Sequence, residues 1–169
     1  CRHVSERLRD YGHEVQVLTS NHRVPGVGVS NRERGISRRL ELYVPFGKPA
    51  GLKRWARACT SCRNYSRALA VLETTKPDVV FVWSQLRLTT GAARAAHEAG
   101  LPTVYALNDA HVAGMVAANF DLSARGLARF VADNLFFSTI TLRGLDFRYS
   151  TTISHDLKDA LLVAGVPVA

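Results

Sequence analysis

Asn108, Asp109 and His111 follow the apolar run VYAL at 104–107, setting an amide, a carboxylate and an imidazole close together in the chain. A carboxylate can accept a hydroxyl's hydrogen bond or its proton, and an imidazole titrates near neutrality. Three other apolar runs end the same way: in Thr19, Ser20, Asn21 and His22; in Trp83, Ser84 and Gln85; and in Ser154, His155 and Asp156. In an open parallel sheet the loops diverge beyond the carboxyl ends of the strands, and ligands bind in the crevice they leave. If these runs are parallel strands, all four clusters share one edge. Each cluster also has a purely structural reading. Ser154 suits a helix N-cap with Asp156 in the first turn, Trp83 can cover the sheet's end, and Asn108 and Asp109 can close a local turn on their own backbone.

The elements that would position these groups are readable in order. Val4, Leu8 and Tyr11 form one apolar stripe on a helix that Gly12 stops. EVQVLTS at 14–20 reads as a strand, HRVPGVGVSNRERGIS at 22–37 as a long loop, and RRLELYVP at 38–45 as a second strand. A helix from Lys53 to Thr75 ends at Lys76 and Pro77. At 100° per residue it gathers Trp55, Cys59, Cys62, Tyr65, Leu69 and Leu72 on one side, with Lys53, Arg57, Arg63 and Arg67 mostly opposite. Then come strand DVVFVW, a helix over 88–99, strand PTVYAL, a loop, an apolar-rich helix over 123–137, a short strand STTIS and a helix over 155–164. Strands alternating with helices imply right-handed crossovers, so the fold class is α/β, a doubly wound Rossmann-like domain with a mostly parallel sheet.

With 169 residues, 47% of them apolar, the chain has material for one well-cored domain. No stretch approaches the roughly 20 apolar residues of a spanning helix, and the N-terminus lacks a signal peptide's apolar segment, so the expected setting is cytoplasmic. The net charge of +8 is unevenly placed: residues 30–67 carry ten basic and two acidic side chains, and residues 68–169 carry eight and nine. Such a segment attracts phosphates, or is simply a solvated face. Cys59 and Cys62 have no second pair to complete a zinc site and read instead as small buried residues. There is no Walker loop, no H-E-x-x-H and no G-x-S-x-G, and the G-x-G within PGVGVSNRERG lacks an adjoining strand and helix.

Four segments together resemble a known family. RLRDYGHEVQVLTS, KPDVVFVWS, LPTVYALND and ISHDLKDALLVAGVP are similar, in order and spacing, to stretches of the amino-terminal domain of family 4 glycosyltransferases, the retaining enzymes of the two-domain glycosyltransferase-B fold. The resemblance spans essentially residues 1–169 and implies a nucleotide-sugar co-substrate, with neither a cofactor nor a metal. It further implies a sugar or lipid-linked acceptor on this domain and, in some members, docking on the inner face of an anionic membrane. By the same pattern the first strand of the domain and the whole donor-binding second domain would lie outside this chain, so the expectation is an enzyme fragment that cannot transfer sugar alone.

Carried over residue by residue, the resemblance makes Asp109 the candidate catalytic group. The shared strand-end edge adds Asn108, His111, Ser84, Gln85, Ser20 and Asn21 as candidate acceptor contacts. Asn108 stands where many relatives have a histidine, and an amide cannot exchange a proton at neutral pH. His111 matches no family position. The competing reading is a nonenzymatic α/β module for nucleic acid or another phosphate-rich partner, built on the basic segment. It predicts aromatics interleaved for base stacking, and only Tyr43, Phe46, Trp55 and Tyr65 lie near.

Overall fold

The computed structural model describes residues 2–22, 35–44, 54–83, 87–117, 123–135, 140–142 and 144–168. Within them the elements run α1 (Arg2–Asp10), β1 (Val17–Ser20), β2 (Ile36–Leu40), α2 (Arg54–Thr75), β3 (Val80–Trp83), α3 (Gly91–Glu98), β4 (Thr103–Leu107), α4 (His111–Ala117), α5 (Ala124–Leu135), β5 (Ser150–Thr152) and α6 (His155–Val163). Every described strand pair is parallel, and within β3-β4-β5 the connections run through α3 and then α4 and α5. The mixed α/β architecture is that of a Rossmann-like domain. Its strands form two sheets, β1-β2 and β3-β4-β5. Among the described residues β3 pairs only with β4, and Val79, Phe81 and Trp83 are exposed beside its open edge. The stripe of Val4, Leu8 and Tyr11 on α1 is exposed as well.

The main core lies around β4, where Tyr105 and Leu107 meet Ala93, Val112, Phe147, Leu161 and Val166. Tyr105 packs on Phe147 with ring centroids 4.6 Å apart, a contact worth about 0.5–1.5 kcal/mol beyond the area it buries. A second packing centre joins α2 to α3 with small residues. Gly91 opens α3 directly against the Ser61 carbonyl, where any Cβ would overlap the backbone of α2. Ala95 and Ala96 are fully buried on the same helix. Tyr65 Oη donates to Glu98 Oε2 at 2.7 Å across the pair, and that bond holds the phenol's pKa above its ordinary value.

Three elements differ from the sequence reading. The second strand covers Ile36–Leu40 rather than 38–45, because Asn64 of α2 takes over the backbone of Glu41. Its Oδ1 accepts from the Glu41 amide at 2.8 Å, while its Nδ2 donates to the Glu41 carbonyl at 2.9 Å and to the Leu88 carbonyl at 2.7 Å. A side chain thus replaces the next strand partner and turns the chain out of the sheet. Where a loop followed Leu107, the structure has the short helix α4, begun by Asp109 Oδ1 accepting from the His111 amide at 2.8 Å.

The long helix also faces the other way from the hydropathy pattern. Trp55, 66% exposed, points outward with Cys59 and Cys62, while Ser61, Asn64 and Ala68 are buried. The cysteines are therefore exposed thiols, not small core residues. Arg63 and Arg67 do not simply face water either, for both bind Glu41, at 3.0 and 2.7 Å. The expected cap at Ser154 holds, and Ser123, read from the sequence as the first residue of its helix, caps that helix instead. Ser154 Oγ accepts from the Leu157 amide at 3.2 Å at the start of α6, and Ser123 Oγ accepts from the Gly126 amide at 3.0 Å at the start of α5. No helix among the described residues is long and apolar enough to cross a membrane.

Candidate functional site

β4 is buried along almost its whole length and ends at Leu107, so Asn108 and Asp109 are the first half-buried polar residues beyond the carboxyl end of a fixed strand. The Asp109 carboxylate has one oxygen committed to the His111 amide. This is the local-turn reading of the segment, and it leaves Oδ2 without a hydrogen bond among the described residues. The same bond anchors His111 at the start of α4, where Val112 and Ala113 turn into the core. The imidazole is half-buried. Burial first, and then the nearby Arg57 charge, lower its pKa below the ordinary value of 6.5, with Asp109 pulling the other way. His111 is consequently a neutral imidazole at neutral pH, able to accept a proton or a hydrogen bond.

Arg57 enters this corner from the first turns of α2. Its Nη2 lies 3.6 Å from Met115 Sδ of α4, and its guanidinium carbon lies 5.5 Å from the centre of the Tyr43 ring. Tyr43 is fixed in turn by its own amide, which donates to the Arg87 carbonyl at 3.1 Å, and Arg87 Nη1 donates to the Val44 carbonyl at 3.2 Å. A chain of contacts from the segment after β2, through α2, to α4 therefore brings one guanidinium and one phenol ring to the helix that carries the His111 imidazole, which begins at the Asp109 carboxylate. Such a corner can orient a polar ligand and hold a hydroxyl against a carboxylate. A thiolate or carboxylate cage for a metal is a different arrangement, and among the described residues no three His, Cys, Asp or Glu side chains gather into one.

The other candidates fall out as follows. Ser20 ends β1, half-buried, and the exposed Asn21 extends the pairing with β2 through its amide, which donates to the Leu40 carbonyl at 2.8 Å. Both lie at the carboxyl end of a parallel strand, as expected, but in the two-stranded sheet, and no hydrogen bond joins them to Asn108, Asp109 or His111. Ser84 and Gln85 lie outside the described residues. Trp83 ends β3 with its ring edge-on to Phe81 at 5.7 Å. Arg57, Tyr43 and Met115 were missed in the sequence. The available signal was the polar spacing Arg57, Ser61, Asn64, Ala68 along α2, which marks a face made to meet other backbone rather than water.

The chain matches the model of the glycosyl transferase 4-like domain over residues 1–168. No curated protein and no solved structure gave a match. The family match spans the strand-end corner and every element that builds it, and the parallel α/β architecture is the one this kind of domain requires: the chain belongs to the glycosyl transferase 4-like domain family.

Proposed function

We propose that this chain is the acceptor-binding domain of a retaining glycosyltransferase that moves a sugar from a nucleotide-sugar donor to a sugar or lipid-linked acceptor in cell-envelope or polysaccharide synthesis. The donor is held by the second domain of the two-domain fold, and this chain alone does not transfer sugar. The observation that carries the reading is Asp109: a carboxylate at the end of β4, held by one oxygen, in a domain of the glycosyltransferase family. In the reaction the acceptor hydroxyl donates its hydrogen bond to Asp109. The hydroxyl oxygen then bonds to the anomeric carbon on the face from which the diphosphate departs, as the bond from that carbon to the diphosphate breaks, which retains the configuration. The carboxylate takes the proton, and the nucleoside diphosphate leaves. Asn108 orients the acceptor by hydrogen bonds, and Ser20, Asn21, Ser84 and Gln85 are further candidate acceptor contacts.

The decisive experiment is Asp109→Asn in the complete enzyme, followed by nucleoside diphosphate release from a panel of nucleotide sugars. The amide keeps the bond to the His111 amide and removes the charge. Turnover is expected to fall by roughly a hundredfold or more, and unchanged turnover would overturn the assignment. A nonenzymatic nucleic-acid module is the poorer reading, because Arg63 and Arg67 are bound by Glu41 and Tyr43 lies beside Arg57 instead of open for base stacking.

A further inference from the structure

We infer that Cys59 and Cys62 are a redox-modification site: a dithiol on the outward face of α2 that closes to a disulfide when a peroxide oxidises it, and loosens the seat of α3 as it closes. Both cysteines are exposed on the same helix, at positions i and i+3. Residues at that spacing are neighbours on a helix surface, with Cβ atoms roughly 5–6 Å apart. A metal suits the pair less well. A structural zinc site takes four ligands, and among the described residues no third His, Cys, Asp or Glu side chain joins these two.

The oxidation balances with hydrogen peroxide as its co-reactant. The sulfur of one thiolate bonds to a peroxide oxygen, the O–O bond breaks, and the departing hydroxide takes up a proton and leaves as water. The second sulfur then attacks the sulfenic acid so formed: the S–S bond forms, the S–O bond breaks, and a second water leaves. Two electrons pass from the sulfurs to the peroxide, and a dithiol reductant reverses the change. Because the second thiol lies on the same turn, this step is intramolecular and outruns attack by another peroxide.

Closure is not neutral for the fold. A disulfide holds its Cβ atoms about 3.5–4.5 Å apart, so the turn between the cysteines must tighten by about 1–2 Å. That turn has no slack on its inner side. Thr60 and Ser61 are buried there, and the Ser61 carbonyl stands where any Cβ on Gly91 would sit. Asn64, the next buried residue on that face, binds the backbone of Glu41 and the Leu88 carbonyl. A change of geometry between Cys59 and Cys62 therefore moves the surface against which α3 begins.

The test uses the full chain with Cys1→Ser, so that the pair holds its only thiols. The reduced protein is treated with stoichiometric hydrogen peroxide, blocked with a maleimide and weighed by mass spectrometry, and its amide hydrogen exchange is compared before and after oxidation. The expected product is a monomer that has lost two hydrogens and takes up no maleimide, and that a dithiol reductant returns to a doubly labelled form. Exchange is expected to quicken roughly fivefold or more around Ser61 and at the start of α3, and to recover on reduction. Cys59→Ser and Cys62→Ser should each abolish both changes, although each variant keeps one oxidisable thiol. That separates a closing dithiol from two independent thiols and from oxidation elsewhere in the chain. Thiols that both take maleimide after peroxide, a disulfide that joins two chains, or quickened exchange that persists in the single variants would each overturn the proposal. So would a closed disulfide that leaves exchange in α3 unchanged.

Discussion

Asn64 holds Glu41 by both backbone groups at once, accepting from its amide at 2.8 Å and donating to its carbonyl at 2.9 Å, and it spends its remaining donor on the Leu88 carbonyl at 2.7 Å. One fully buried side chain thereby fixes the exit of β2 and the approach to α3 against the middle of α2. Both segments lead to the candidate site: the first carries Tyr43, and the second is tied back to it through Arg87.

Asn64→Leu should therefore be among the most damaging substitutions in the chain. It keeps the volume approximately and strands two carbonyls and an amide in the interior, each costing about 1–3 kcal/mol when left unpaired. Urea denaturation is expected to show a loss of about 3 kcal/mol or more by the same accounting. Asn64→Asp should also be damaging, since it still accepts from the Glu41 amide but sets a buried carboxyl against two carbonyl oxygens.

Tyr105 is the opposite case. Its ring is 1% exposed in the core against Phe147, while its hydroxyl has no hydrogen-bond partner among the described residues. Burial, aided by the charge of Asp146, pushes the phenol's pKa up to about 12, so it stays neutral. Tyr105→Phe removes only the oxygen and retains the ring stacking. Its thermal midpoint should equal or exceed that of the parent, with a gain of up to about 1–2 kcal/mol from removing the unpaired group. A clear drop would mean that the hydroxyl binds an ordered water.

Glu41 makes stability depend on pH. The hydrogen bond from Arg63, and after it the bond and charge of Arg67, lower its pKa below 4.5 against the opposing effect of burial. A carboxylate whose folded pKa is depressed stabilises the fold above its unfolded value, and that contribution disappears as pH falls through the folded value. Glu41→Gln should thus unfold at lower urea than the parent at pH 7, by about 0.5–1 kcal/mol for pairs this close to the surface. The gap should close progressively on acidification below pH 4.5. A gap that persists in acid would assign the loss to packing and not to charge.

How far the sequence carried the fold is clearest on α2 and α4. The strands β3 and β4 and the cap at Ser154 follow from apolar runs and local hydrogen-bonding groups, which are properties of neighbouring residues. The buried face of α2 does not. Asn64 is inside because two carbonyls and an amide more than 20 residues away need it, and Ser61 because Gly91 of α3 packs on its carbonyl, whereas hydropathy favoured Trp55, Cys59 and Cys62. Asp109 could be found because it follows a buried strand. Arg57 could not, because only the docking of α2 brings it to His111 and Tyr43. For α4 the helical spacing of Val112 and Val116 was present, but the polar break at Asn108, Asp109 and His111 reads as a loop.

The outward face of α2 also suits an anionic surface. Trp55 is 66% exposed there, with Cys59 and Cys62 on the same side and Arg63 exposed beside them, within the segment that holds the chain's excess positive charge. An indole beside arginines is suited to the interface of an anionic bilayer, where the ring enters the headgroup layer and the guanidiniums stay with the phosphates. The expected result is sedimentation of the intact enzyme with phosphatidylserine vesicles at low salt, release at about 0.5 M salt as screening shortens, and a blue shift of tryptophan emission lost in Trp55→Ala. Glu41→Gln frees Arg63 and Arg67 from their carboxylate and should strengthen the binding. Absence of sedimentation at low salt would remove the membrane from this face. Binding that survives high salt and Trp55→Ala would place the contact on another surface.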